Sequence, residues 1–167
     1  MELDQKIHQQ HGLVFKETRE KRVIAMMVEL AELANEIKFF KYWSKKPEDR
    51  EAALEEAADV LHFLLSLAND QSMRLEMKEN NLYSSETSLE TLYVGLMERC
   101  AEMAKIEGEK RSPEQEPDRW FIWAEELQRF TDDFVEFINQ AGIGIDEIEK
   151  EYFWKNAINY RRQTENY

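Results

Sequence analysis

Val23-Ile-Ala-Met-Met-Val-Glu29-Leu-Ala-Glu32-Leu-Ala-Asn-Glu36-Ile37 is apolar at most positions, yet it carries three acids. Its apolar residues, with Phe39 and Phe40 beyond them, point in every direction around a helix axis, which predicts a buried helix with almost no polar face. At about 100° per residue, Glu29, Glu32 and Glu36 fall on one stripe of that helix. A second stretch repeats the arrangement. Glu56 and Asp59 share a face and lead into Val60-Leu-His62-Phe-Leu-Leu-Ser-Leu-Ala68, which has no formal charge at neutral pH. Charged side chains are almost never fully buried unless paired or bound. Five acids on two apolar helices therefore need a cation, either a metal ion or buried partners from Lys or Arg.

Spacing alone decides little, because with 35 acids in 167 residues roughly seven acid-x-x-acid pairs arise by chance. Position decides more. Glu32 and Glu56 are separated by 23 residues, a length that lets two helices fold back antiparallel and bring both pairs together. A di-iron bundle needs two Glu-x-x-His motifs, whereas only His62, of the three histidines, lies near these acids. An all-oxygen site suits Mg²⁺ or Mn²⁺ better than zinc or iron. His62 reads as a group behind the ligands, or as a satisfied core histidine.

Working outward, only 5 Gly and 3 Pro interrupt the chain, and Met, Leu, Glu, Ala and Lys fill the long segments between them. That composition predicts one all-α domain over residues 1–167, a bundle of about six helices. Helices are expected near residues 2–10, ending at Gly12, then over Glu17–Trp43 and Glu48–Met77, with Pro47 available for the first turn of the latter. Asn80–Thr87 reads as a loop, Ser88 as the N-cap of a helix through Gly108, and Arg111–Pro117 as a connector. A fifth helix should span Asp118–Gln140, and Asp146 with Glu149 should form a capping box opening the last one. Trp120, Trp123, Leu127, Phe130, Phe134 and Phe137 form an apolar stripe that reads as core or dimer interface.

A net charge of −13 argues against a general nucleic-acid binder, which needs a basic surface. An anionic substrate can still bind where divalent ions neutralise the contact. Cys100, the single cysteine, excludes an internal disulfide and fits a reducing cytoplasm. With no basic, apolar leader and no apolar run of about 18 residues, the expectation is a soluble chain that neither leaves the cytoplasm nor spans a membrane.

At this point a family resemblance becomes visible. Glu29-Leu-Ala-Glu32-Leu-Ala-Asn-Glu36, Phe40-Lys41-Tyr42-Trp43-Ser44 and Glu56-Ala-Ala-Asp59-Val-Leu-His62-Phe63 resemble the core of the dimeric dUTPases. These belong to the all-α NTP pyrophosphatase superfamily that also holds the MazG-type enzymes. Lys155-Asn156-Ala-Ile-Asn159-Tyr-Arg-Arg162-Gln163, with Tyr167, is similar to that branch's C-terminal motif, and Leu3-Asp4-Gln5-Lys6-Ile7 to the tail of its first. Two positions depart: the glutamine that precedes the first motif's tail would lie upstream of Met1, and Asn166 stands where glycine is usual.

The resemblance implies Mg²⁺-dependent hydrolysis of dUTP, with dUDP a second substrate, by a homodimer. It implies that Glu29, Glu32, Glu56 and Asp59 hold the metal, with Glu32 or Glu36 placed to take a proton. Lys155, Asn159, Arg162 and Tyr167 would contact the phosphates, Phe40, Lys41 and Trp43 the rest of the nucleotide, with Asp4, His62 and Asn156 nearby. Without the acids, Arg161 and Arg162 would read as ordinary charges at a helix C-terminus. Two alternatives stay open: a MazG-like or dCTPase-like enzyme acting on another nucleotide, and a helical interaction module with a divalent-ion site.

Overall fold

A computed structural model describes residue 6 and residues 8–77, 87–108 and 118–164 of the chain. Among these, every regular element is helical: a 3₁₀ turn at Phe15–Thr18, then α1 (Arg19–Ile37), α2 (Arg50–Asp70), α3 (Leu89–Gly108), α4 (Arg119–Gln140) and α5 (Ile145–Thr164). Lys6 and residues 8–10 are helical too, and Gly12, with φ of 63°, follows where a stop was expected. The remainder of the first expected helix, the expected loop up to residue 86 and the connector Arg111–Pro117 lie outside the described residues.

The helices pair as two hairpins, α1 with α2 and α3 with α4; α1 also packs on α3, and α5 on α2. Val23, Met26, Leu30, Leu33 and Ala34 of α1 are buried, as are Ala53, Ala57, Val60, Leu61 and Leu64 of α2. The small alanines let the two helix axes approach closely. On the other hairpin the expected stripe forms the core, with Trp123, Leu127, Phe130, Phe134 and Phe137 all buried and Phe130 stacked on Phe134. Trp120 departs from that stripe: it is 46% exposed, and its Nε1 donates to Gln71 Oε1 at 2.8 Å.

Several expected boundaries move, each for a local reason. α1 stops at Ile37 rather than Trp43, because Lys38 adopts a left-handed conformation (φ 63°) and its N–H closes on the Ala34 carbonyl. α2 begins at Arg50, with Pro47 outside it, because the Asp49 side chain caps the helix by accepting from the Ala52 N–H at 3.2 Å. It ends at Asp70 rather than Met77. Residues 73–77 run outside any helix, and Gln128 of α4 holds them by taking the Glu76 N–H (3.1 Å) and donating to the Glu76 carbonyl (2.9 Å). At α5 the capping acid is Glu147, not Glu149, with Gly144 N–H donating to Glu147 Oε2 at 2.9 Å. Ser88 caps α3 as expected, its Oγ accepting from the Thr91 N–H.

α1 is not buried all round within this chain. Ile24 and Val28 are each about half exposed, 48% and 49%, and Ala31 is exposed beside them, leaving an apolar strip on the face away from α2 and α3.

The far end of the first hairpin is fixed by a buried polar network. Arg22, only 5% exposed, donates to the Ser66 carbonyl and hydroxyl, to the Phe15 carbonyl and to Asp70 Oδ2 at 2.8 Å. Arg19 bonds the same carboxylate oxygen, and the Phe15 ring covers the Arg22 guanidinium at 4.0 Å. Thr18 Oγ1 donates to the Phe15 carbonyl and lies 2.7 Å from His8 Nε2, so the imidazole N–H is the donor in that pair.

Removing one partner of a buried charge pair leaves the other uncompensated. Asp70→Ala is therefore expected to destabilise the chain by about 3 kcal/mol or more, read from urea unfolding monitored by circular dichroism. Arg129→Ala, which breaks an exposed pair with Glu125 at 2.5 Å, should cost under about 1 kcal/mol. Equal costs for the two variants would show that Asp70 does not hold the hairpin.

Candidate active site

The register of the α1/α2 hairpin places the acids. Arg22 meets Ser66 at one end, and Asp49 N–H meets the Glu36 carbonyl at 3.2 Å at the other, so the helices run antiparallel. Midway between these anchors Glu29 and Glu32 of α1 lie level with Glu56 and Asp59 of α2. Glu29, Glu32 and Glu56 each offer a carboxylate oxygen within 4.8 Å of the others. Glu32 is exposed and the other two are half-buried, so the group opens to solvent on one side. Glu36 is half-buried on the same stripe but falls outside that convergent group.

Repulsion and burial act together on this group. Burial, then Glu32, Glu29 and Asp59, push the Glu56 carboxyl up to about 7. Glu29 is also raised, by burial first and then by Asp59 and Glu32, while the Lys155 charge and a hydrogen bond with Glu56 work the other way. Three converging carboxylates without a thiolate or imidazole among them match the hard, oxygen-only donor set of Mg²⁺ or Mn²⁺. The residues fit such an ion.

Asp59 is engaged differently. Its Oδ2 accepts from Lys155 Nζ of α5, and the same ammonium reaches Glu55 Oε1 at 3.1 Å. The resemblance implies that Lys155 contacts the phosphates; in the structure its ammonium sits on a carboxylate of the quartet, with 17% of its side chain exposed. Burial works against the Lys155 charge, but Asp59 and Glu55 outweigh it and raise its pKa above the ordinary value. Glu55 was not foreseen. Nothing in its local pattern separates it from other solvated acids, and its partner stands 100 positions away.

One turn from Asp59, His62 is half-buried, edge-on to Phe63 and tilted against Tyr152 of α5 at 6.2 Å. Asn156 is half-buried next to Lys155. Asn159 and Arg162 lie on α5, but their side chains are outside the described residues, as are Asp4 and Tyr167 altogether.

The turn that follows α1 carries the aromatic residues. Phe39 packs inward between Tyr93 (5.6 Å) and Phe137 (5.7 Å) of the second hairpin. Phe40 meets Phe39 edge-on at 5.7 Å and is 40% exposed, and Trp43 meets Phe40 at 6.1 Å and is 64% exposed. Lys41 Nζ donates to the Asn35 carbonyl at 3.1 Å and lies 5.6 Å from the Phe40 ring centroid. With Tyr42 edge-on to Trp43 at 5.0 Å, a platform of exposed rings thus stands at the end of the helix that carries Glu29, Glu32 and Glu36.

No helix among the described residues is long and apolar enough to cross a membrane. Comparison with curated proteins and with solved structures finds no match. A family model does match, that of the dUTPases, and it extends over residues 1–167. With an all-helical fold, converging carboxylates and that full-length match, the chain belongs to the dUTPase family and is a nucleoside triphosphate pyrophosphohydrolase, a dUTP diphosphatase.

Proposed function

We propose that the chain hydrolyses dUTP to dUMP and pyrophosphate, and dUDP to dUMP and phosphate, at divalent ions held by Glu29, Glu32, Glu56 and Asp59. The observation that carries this reading is the convergence of Glu29, Glu32 and Glu56 within 4.8 Å, at a site open to solvent. Mg²⁺ or Mn²⁺ bound there would offset phosphate charge and lower the pKa of a water, which attacks phosphorus as it gives up its proton. The carboxylates hold and orient; Glu32, exposed, or Glu36, on the same stripe, accepts the proton that this water loses. Phe40 and Trp43 offer apolar faces for the base, with Lys41 beside them. Asn159, Arg162 and Tyr167 supply donors to the phosphates.

The chain acts as a homodimer in a cytoplasmic setting on this reading. A second copy would cover the apolar strip Ile24–Val28–Ala31, which otherwise faces water.

A panel of deoxynucleoside and nucleoside triphosphates with Mg²⁺, scored for pyrophosphate release, tests the substrate directly. Activity confined to dUTP supports the proposal. Preference for another nucleotide would move the chain toward the MazG-like or dCTPase-like enzymes, and Mg²⁺ binding with a blank panel would leave an interaction module. Glu56→Gln should cut turnover by about 100-fold or more while the helical circular dichroism stays unchanged; normal turnover would remove Glu56 from the mechanism.

Metal and proton compete for Glu56. The folded, metal-free chain keeps its proton up to about pH 7, whereas the unfolded chain loses it near the ordinary 4.5. This group's contribution to stability is thus present at low pH and lost as pH rises through 7. Added Mg²⁺ should restore it, so the rise in Tm on adding Mg²⁺ should be larger at about pH 8 than at about pH 6. An equal rise at both would contradict metal binding at Glu56. For the dimer, Val28→Glu is expected to halve the mass seen by light scattering, and an unchanged mass would place the contact elsewhere.

A further inference from the structure

Three carboxylates of the quartet offer oxygens within 4.8 Å of one another; Asp59 lies close enough to act on Glu29 and Glu56 by its charge but outside that group. Asp59 is held by Lys155, which also grips Glu55. The ammonium already does for Asp59 what a divalent ion would do: it sets a positive charge against a carboxylate in a half-buried, crowded acidic site. A divalent ion cannot take Asp59 Oδ2 while the ammonium holds it, and the positive charge beside the carboxylate disfavours one at the other oxygen.

We propose that Lys155 is a resident counter-ion that keeps Asp59 closed to divalent ions until the nucleotide's phosphates draw the ammonium away. This inference rests on the metal reading above. It makes loading ordered. The metal-free chain offers Glu29, Glu32 and Glu56 as one open site, and Asp59 joins only when an anion takes over Lys155. Because Lys155 belongs to α5, its transfer from Asp59 to a phosphate also shifts the tie between α5 and α2, to which the His62–Tyr152 contact and, at the helix starts, Arg50–Glu147 also contribute. Metal and nucleotide affinities are then linked through one side chain, each raising the other by the same factor.

Mn²⁺ binding, followed by calorimetry and by the electron-paramagnetic signal of free Mn²⁺, tests this in wild type, Lys155→Met and Lys155→Arg, each with and without α,β-imido-dUTP. In wild type the analogue should raise both the Mn²⁺ affinity and the number of ions bound per chain. Lys155→Met, uncharged and of similar length, should bind Mn²⁺ on the order of tenfold more tightly without nucleotide, and should lose most of the gain that the analogue brings. Lys155→Arg keeps the charge and should resemble wild type without nucleotide.

Wild-type chain that takes up its full number of Mn²⁺ ions before the analogue is added overturns the proposal, whether or not the methionine variant folds. Equal Mn²⁺ affinity in wild type and Lys155→Met overturns it too, and leaves the metal site standing. Wild type that binds no Mn²⁺ in either state removes the metal reading itself, and this inference with it.

Discussion

Like charges crowded onto a helix–helix contact are the constraint around which the rest is arranged. α1 and α2 pack through alanines and branched aliphatic residues that ask only for close approach, while the acids on the same pair of helices push the chains apart. The hairpin keeps that unfavourable grouping because it is fastened beyond it on both sides. Arg22 reaches Ser66 and Asp70 at one end, and Asp49 N–H meets the Glu36 carbonyl at the other. The raised Glu29 and Glu56 carboxyls register the cost that remains when no divalent ion offsets it.

The two hairpins divide the work. α3 and α4 carry most of the large aromatic core and contribute no residue to the converging acids. Their rigidity serves the site indirectly, since α1 packs on α3 and must not roll if Glu29 and Glu32 are to stay level with Glu56. α5 belongs to neither hairpin. It rests on α2 and the core through Ile148, which is fully buried, together with charged and aromatic contacts from Lys155 and Tyr152.

Much of this was legible in the residues themselves. The acids stand out because their neighbours are apolar, and the length between Glu32 and Glu56 suffices for a hairpin, so the fold class and the convergence both follow from pattern. What escaped was set by backbone or by distance. Lys is a good helix former, so nothing in Phe39-Phe-Lys-Tyr-Trp43 announces a stop; the left-handed turn at Lys38 is fixed by where Phe39 must go. Glu147 displaced Glu149 as the capping acid because Gly144, with little side-chain signal of its own, opens the helix. Lys155 matched a phosphate-binding pattern, and only the folded chain reveals that its ammonium meets Asp59 and Glu55.

The turn at Lys38 has a consequence for the surface at the end of α1. It sends Phe39 into the second hairpin and leaves Phe40 and Trp43 outside, joined ring edge to ring edge. Phe137 and Tyr93, which hold Phe39 from inside, thereby form the footing of the exposed rings. Substitutions at interior residues of α3 and α4 can therefore reorient the exposed rings from beneath, as readily as changes to the rings themselves.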